Sequence, residues 1–100
     1  MEEYLIGKKE KGIFRIYNLK TDKSYFGITK DIIKTRAEER FMLDLGLHKC
    51  KALQEDYKTT GLELFVIDLV KIANEEDELD ALLSETIAEF TAKGITLYQA

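Results

Sequence analysis

The stretch GIFRIYN, residues 12–18, and the shorter run SYFG, residues 24–27, decide the fold of this chain. Both runs are rich in β-branched and aromatic residues, and the polar segment LKTDK, residues 19–23, lies between them. That composition predicts a β-hairpin with a loop longer than a two-residue turn. Gly12 and Gly27 bracket the hairpin, and a residue without a side chain permits a bulge or the close approach of another chain segment.

The side chains of the hairpin are predicted to sort onto two faces, because successive residues of a strand point to opposite sides. Phe14, Ile16 and Asn18 share one face of the first strand. On the second strand, Tyr25 and Gly27 point to the same side as each other. These positions carry most of what the sequence indicates about function.

A helix is predicted after the hairpin, with Asp31 as its N-cap and its end at about Leu45. The Asp31 carboxylate can accept hydrogen bonds from the open N–H groups of the first turn, and Gly46 is placed to end the helix. Apolar residues recur at i+4, which predicts a buried stripe formed by Ile33, Ala37, Phe41 and Leu45.

The middle of the chain predicts a second helix and a third strand. The helix covers about residues 49–60, and residues 62–70 form the strand. Because that strand is apolar on both faces apart from Asp68, it is predicted to be central and covered on both sides. The residues expected on the buried face of the second helix are Cys50, Leu53 and Tyr57.

The last helix is predicted to begin at Asn74, a good N-cap, and the acidic residues 75–78 complement the helix dipole. Its predicted buried stripe is Leu79, Leu82, Leu83, Ile87 and Phe90, and Gly94 ends it. The element order is therefore ββααβα, an α/β fold with a small three-stranded, mainly antiparallel sheet flanked by helices. Residues 1–10 are predicted to be a flexible lead-in, and residues 11–100 a single domain.

Composition narrows the class of protein. The chain has no apolar run long enough to span a bilayer, and its single cysteine, Cys50, fits a reducing compartment and predicts a cytoplasmic location. The net charge is −4, but residues 1–58 hold 13 Lys and Arg against 10 Asp and Glu, whereas residues 59–100 hold 2 against 9. A basic first half can meet phosphate while the acidic half faces away; the alternative interpretation of the same charge pattern is ordinary solvated surface.

The hairpin, taken with the rest of the chain, resembles the GIY-YIG nuclease superfamily. The likeness rests on Gly12-Ile13-Phe14 and Tyr25-Phe26-Gly27, and it continues through residues 46–57, which include Leu53-Gln54. The acidic last helix, with Leu82-Leu83-Ser84-Glu85, resembles the family segment that carries a metal-binding glutamate. The resemblance covers roughly residues 11 to 90.

This resemblance implies a DNA endonuclease that hydrolyses phosphodiesters with one divalent metal ion, Mg²⁺ or Mn²⁺. Tyr25 then matches the general base or water-orienting tyrosine, Glu85 matches the metal ligand, and His48 matches a histidine that assists at the site. Arg36 is the candidate for stabilising the charge on the phosphate. The basic residues expected to contact DNA are Lys30, Lys34, Arg40 and Lys49.

Three positions depart from the family pattern. Phe14 stands where a tyrosine is usual, Thr35 where the catalytic arginine is expected, and Glu39 where histidine or tyrosine is frequent. Arg36 lies one residue further along the helix, which rotates its side chain by about 100°. The sequence therefore leaves open an alternative: a catalytically inactive domain of the same fold that binds nucleic acid, or that serves in protein interaction and self-association.

Overall fold

The computed structural model describes residues 10–98, apart from the side chain of Leu62, so nine of the ten residues of the predicted lead-in lie outside the described part. The predicted α/β fold and the order ββααβα are confirmed. Two 3₁₀ turns, Leu62–Leu64 and Glu76–Glu78, precede the third strand and the third helix. The elements are β1 (Gly12–Asn18), β2 (Ser24–Thr29), α1 (Ile32–Leu45), α2 (Lys51–Thr60), β3 (Phe65–Ile72) and α3 (Leu79–Ala92).

The sheet has the strand order β2-β1-β3, and both strand pairs are antiparallel. The prediction that the strand at residues 62–70 is central is therefore wrong, because β1 lies in the middle and β3 pairs with β1 alone in this sheet. Apolar residues on both faces show that a strand is covered by helices, but they do not show that it has a neighbour on each side. The tail adds a parallel bridge between Leu97 and Ser24, as an extended piece beside β2.

The two hairpin glycines make room for groups packed directly on them. Phe14 pairs with Gly27 across the hairpin, and a Cβ at Gly27 would lie 2.6 Å from the ring atoms Cε1 and Cζ of Phe14. A Cβ at Gly12 would lie 1.8 Å from the carbonyl oxygen of Lys71. The glycines are thus required by an aromatic ring in one case and by the backbone of β3 in the other.

The first helix begins and ends as predicted, but its predicted buried face is wrong. Asp31 caps the start by accepting a hydrogen bond from the Lys34 amide, and Gly46 ends the helix in the left-handed region. The predicted stripe points outward: Ile33 is 55% exposed, Phe41 62% and Leu45 54%, and Ala37 is exposed too.

Ile32 and Leu43 are the buried residues of α1, with Thr35 and Glu39 half-buried beside them. Both polar side chains are hydrogen-bonded. Polar residues with specific partners therefore occupy part of the inward face, and the apolar i+4 series is left on the outside.

The core lies on the face of the sheet that carries Phe14 and Ile16. The second helix begins at Lys51, two residues later than predicted, with Cys50 as its N-cap. Its predicted face of Cys50, Leu53 and Tyr57 is buried, as expected. The members of this core are Phe14, Ile16, Ile32, Leu43, Cys50, Leu53, Tyr57, Phe65, Ile67 and Tyr98.

The third helix covers the other face of the sheet. The rings of Phe26 and Phe90 lie 4.9 Å apart, and the Arg15 guanidinium lies over the Phe90 ring at 5.0 Å. The prediction of Asn74 as N-cap is wrong. Glu75 caps the 3₁₀ turn that leads into α3, through a capping box with Glu78. Within residues 10–98, no helix has the length and apolar character needed to cross a membrane.

Candidate active site

The structure brings Tyr25 and His48 together on the core side of the sheet. Tyr25 lies on β2 and is half-buried, and its ring centroid is 5.3 Å from that of His48 in an edge-to-face arrangement. The Phe14 ring flanks it at 6.3 Å. The two residues are 23 positions apart in sequence, and the connection between α1 and α2, which carries His48, brings them together near the start of β2.

His48 is buried and is held at both ring nitrogens. Its Nε2 atom lies 2.6 Å from Oε1 of Glu39, and its Nδ1 atom accepts a hydrogen bond of 3.0 Å from the Cys50 amide. Because Nδ1 is an acceptor, the ring proton lies on Nε2 and is donated to Glu39. Gln54 accepts from the His48 amide and donates to the Leu43 carbonyl, each at 3.0 Å, which fixes the connection between the helices.

The pKa of Tyr25 is raised to about 12, first by burial and then by the Glu39 carboxylate and Cys50. At neutral pH the phenol is therefore protonated. A protonated hydroxyl can hold a water molecule or donate to a phosphate oxygen, but it does not remove a proton readily. Of the two roles that the resemblance implies for Tyr25, the raised pKa is more compatible with orientation of water than with general-base catalysis.

We expect the domain to lose stability as the pH rises from 10 to 12. Burial is also the main reason that the pKa values of Tyr57 and Tyr98 are raised to about 12. A pKa that is higher in the folded than in the unfolded state stabilises the fold fully below the unfolded value of 10, and this stabilisation disappears as the pH passes through the folded value. The urea concentration at the unfolding midpoint should be lower at pH 11.5 than at pH 9. Tyr25→Phe should reduce this difference, because it removes one of the three titrating phenols. Equal midpoints would contradict the prediction.

Thr35 and Arg36 both make contacts with the sheet. The Thr35 hydroxyl is 2.6 Å from the Thr29 hydroxyl at the end of β2. The Nε–H group of Arg36 donates a hydrogen bond of 3.0 Å to the Ile67 carbonyl on β3. The position at which the family carries its catalytic arginine is thus occupied by a short side chain bound to β2, and Arg36 is anchored at the β3 edge.

Glu85 lies on the exposed side of α3 and lines a shallow depression with Glu78, Ala81 and Leu82. This helix packs on the opposite face of the sheet from Tyr25. Among the contacts of residues 10–98, no hydrogen bond, ion pair or ring contact joins Glu85 to Tyr25, His48 or Arg36. The structure therefore brings the predicted site together only in part.

A divalent metal ion is compatible with Glu85, although no group of three or more His, Cys, Asp or Glu in the described chain could form a cage for it. Mg²⁺ keeps several waters and is usually held by one or two carboxylates together with substrate phosphates. Glu85 is an exposed oxygen donor of this kind. The Glu78 carboxylate, which lines the same depression, already accepts hydrogen bonds from the amides of Asn74 and Glu75.

The basic residues predicted to contact DNA are spread over the α1 side of the molecule. Lys34 and Lys49 are exposed, and Arg40 is half-buried. Lys30 is exposed as well and lies 3.5 Å from the Glu76 carboxylate. An exposed pair of this kind contributes little to stability, so the Lys30 ammonium remains accessible to another anion.

Solved structures give the comparison that decides the fold. No family model and no curated protein matches the sequence. The structure of the catalytic domain of homing endonuclease I-TevI matches with a TM-score of 0.75 and 25% sequence identity, over 90% of this chain and 99% of that chain. A mutant of the catalytic domain of intron endonuclease I-TevI matches with a TM-score of 0.76 and 25% identity, over 90% and 92%. This chain has the GIY-YIG nuclease fold.

Within this GIY-YIG fold, the contact made by Glu39 could not be predicted from the sequence. In the sequence Glu39 is only a departure from the family pattern, whereas the structure makes it the hydrogen-bond partner of His48. The nine-residue separation gives no signal for such a pair. Asp56 was missed in the same way: it accepts hydrogen bonds from the Tyr98 hydroxyl and, at 3.0 Å, from the Asn18 side chain, and so joins three distant segments.

Proposed function

We propose that this chain is a DNA endonuclease domain that hydrolyses phosphodiester bonds in the cytoplasm with one divalent metal ion, Mg²⁺ or Mn²⁺. The observation that carries the proposal is the Tyr25–His48 contact, which forms in a chain with the fold of an endonuclease catalytic domain. The contact joins two residues whose positions matched the family pattern in the sequence.

In this function Tyr25 orients the attacking water through its protonated hydroxyl. His48 is a positioning residue, because both of its ring nitrogens are already hydrogen-bonded and its ring edge contacts Tyr25. Together with Glu39 it fixes the location of the phenol. Because Tyr25, His48 and Glu39 are at least half-buried and packed together, the phenol is held in place before substrate binds, and a hydrolytic site depends on such preorganisation.

In this proposal the charge on the phosphate is neutralised by the Arg36 guanidinium and by the metal ion that Glu85 would hold. The Ile67 carbonyl takes one N–H group of the Arg36 guanidinium, and a guanidinium carries further N–H donors that can reach phosphate oxygens. Glu85 is the metal ligand that the resemblance implies, and it would contribute one exposed carboxylate. Because α3 packs on the face of the sheet opposite Tyr25, no step of the proposal joins this ion to the water held by Tyr25. When bound, the ion supplies neutralisation of the charge that develops on the phosphoryl oxygens.

The test is nicking of supercoiled plasmid with Mg²⁺ and with Mn²⁺. We expect slow nicking by the wild-type chain, and we expect Glu85→Ala to reduce it below detection because the metal ligand is lost. Asp80→Ala is the matched control, since Asp80 is another exposed carboxylate on α3, and it should leave the rate unchanged. The absence of nicking in both metals would rule out the endonuclease.

A second candidate is a domain that binds DNA without cutting it, and the Thr35–Thr29 hydrogen bond favours it. Loss of one group that stabilises transition-state charge costs on the order of a hundred- to thousandfold in rate. The logarithm of the DNA-binding constant should then fall linearly with the logarithm of the salt concentration, while no cleavage product forms. A chain that fails to retard DNA at low salt would exclude this candidate.

A further inference from the structure

A cavity of about 390 Å³ lies beside the Tyr25–His48 contact. It opens between the second half of α1 and the connection to α2, and its volume falls within the range of small-molecule pockets, roughly 300–1,000 Å³. Its lining residues are Glu38, Glu39, Phe41, Met42, His48 and Lys49.

The apolar wall of the cavity is formed by side chains that are unusually exposed for their type. Phe41 is 62% exposed and Met42 37% exposed. An aromatic ring that is accessible beside a candidate nuclease site offers a flat surface for stacking. His48 belongs both to this cavity and to the contact with Tyr25, so a group bound here would lie next to the site of the proposed reaction.

The polar groups of the cavity are mainly hydrogen-bond acceptors. The Glu39 carboxylate is held in place by His48 at 2.6 Å, and the exposed Glu38 carboxylate lies one residue away on the same helix. An ionised carboxylate only accepts hydrogen bonds, so the cavity favours a ligand with N–H groups. Lys49 supplies a positive charge that can contact a phosphate oxygen.

We propose that this cavity binds an unpaired nucleobase that carries an amino group, as cytosine, adenine and guanine do, next to the phosphate that is cleaved. The inference rests on the proposed function and adds a base preference to it. The base stacks on Phe41, and its amino group donates to Glu38 or Glu39, which is the pairing known for Glu and the cytosine amino group. Thymine presents carbonyl oxygens on either side of its N–H group, and these oxygens are repelled by the carboxylates.

The experiment measures binding of fluorescein-labelled oligodeoxycytidylate and oligothymidylate of equal length by fluorescence anisotropy, in EDTA so that no cleavage occurs. We expect tighter binding of the cytosine oligomer. Phe41→Ala should weaken its binding about tenfold through loss of stacking. Glu38→Gln, which replaces a pure acceptor by an amide that also donates, should reduce the preference for cytosine over thymine.

Ile33→Ala is the matched control, because Ile33 is 55% exposed on the same helix and lines a different depression. It should leave both affinities unchanged. Equal affinity for the two oligomers, or an equal loss in the control variant, would overturn the proposal. Competition by deoxycytidine monophosphate as strong as that by the oligomer would overturn the assignment to a base within a strand. A cytosine preference without plasmid nicking would refute the endonuclease and support the cavity assignment.

Discussion

Replacing His48 by alanine is expected to lower the free energy of unfolding by about 3–5 kcal/mol. The side chain is only 2% exposed and is paired with Glu39, whose side chain is 19% exposed. Its removal leaves a half-buried carboxylate without its donor and the Cys50 amide without its acceptor. An unpaired buried polar group costs far more than the net gain of the hydrogen bond itself. Urea denaturation followed by circular dichroism measures the loss.

The control for this prediction is Lys49→Ala at the neighbouring exposed position, which should change the stability by about 0.5 kcal/mol or less. Adding Glu39→Ala to the His48→Ala variant should lower the free energy of unfolding little further, because the two side chains are hydrogen-bonded to each other and their effects are not additive. A loss below about 1 kcal/mol for His48→Ala would contradict the prediction, since it falls short of the cost of even one unpaired buried group.

Gly12→Ala is expected to destabilise the domain by about 3 kcal/mol or more, at the upper end of overpacking effects. The new Cβ would lie 1.8 Å from the Lys71 carbonyl oxygen and 2.8 Å from its carbonyl carbon. These are backbone atoms of β3, next to the register shift that separates Ile13 from Phe14. Relief of the clash requires β1 and β3 to move apart, so the pairing at this end of the sheet is lost. Thermal and urea unfolding of the purified variant report the effect.

Gly46→Ala provides the comparison for Gly12. No atom lies within 4 Å of a Cβ at Gly46, but the residue has φ of +77°, a conformation that costs a non-glycine residue roughly 1–2 kcal/mol. We therefore expect a smaller loss there than at Gly12. Gly12 is not among the glycines with positive φ, so a loss at Gly12 no larger than that at Gly46 would contradict the prediction that the approach of β3 requires glycine at position 12.

The two stability predictions concern the parts of the molecule that support the proposed reaction. Gly12 allows β3 to approach β1, and β3 anchors Arg36 through the Ile67 carbonyl. His48 joins the connection between α1 and α2 to Tyr25 on β2. Tests of activity should therefore use milder variants, such as Tyr25→Phe and Glu85→Ala, because a loss of nicking in an unfolded chain says nothing about chemistry.

The sequence by itself determined the hairpin, the element order and the ends of α1. The placement of Phe14 and Ile16 on one face of β1, and of Tyr25 and Gly27 on one side of β2, follows from the alternation of side chains along a strand. Asp31 and Gly46 mark helix ends through local hydrogen bonding and backbone conformation. These features depend on residues close in sequence, which is why pattern and propensity were sufficient to predict them.

The tertiary structure alone decided which face of α1 is buried, which strand is central, and what Glu39 does. The apolar stripe of α1 points outward because Thr35 and Glu39 have partners on β2 and in the α1–α2 connection. Strand order and the Glu39–His48 pair depend on contacts between segments whose approach no local pattern encodes. A buried polar side chain must find a partner, and the location of that partner is a property of the whole fold.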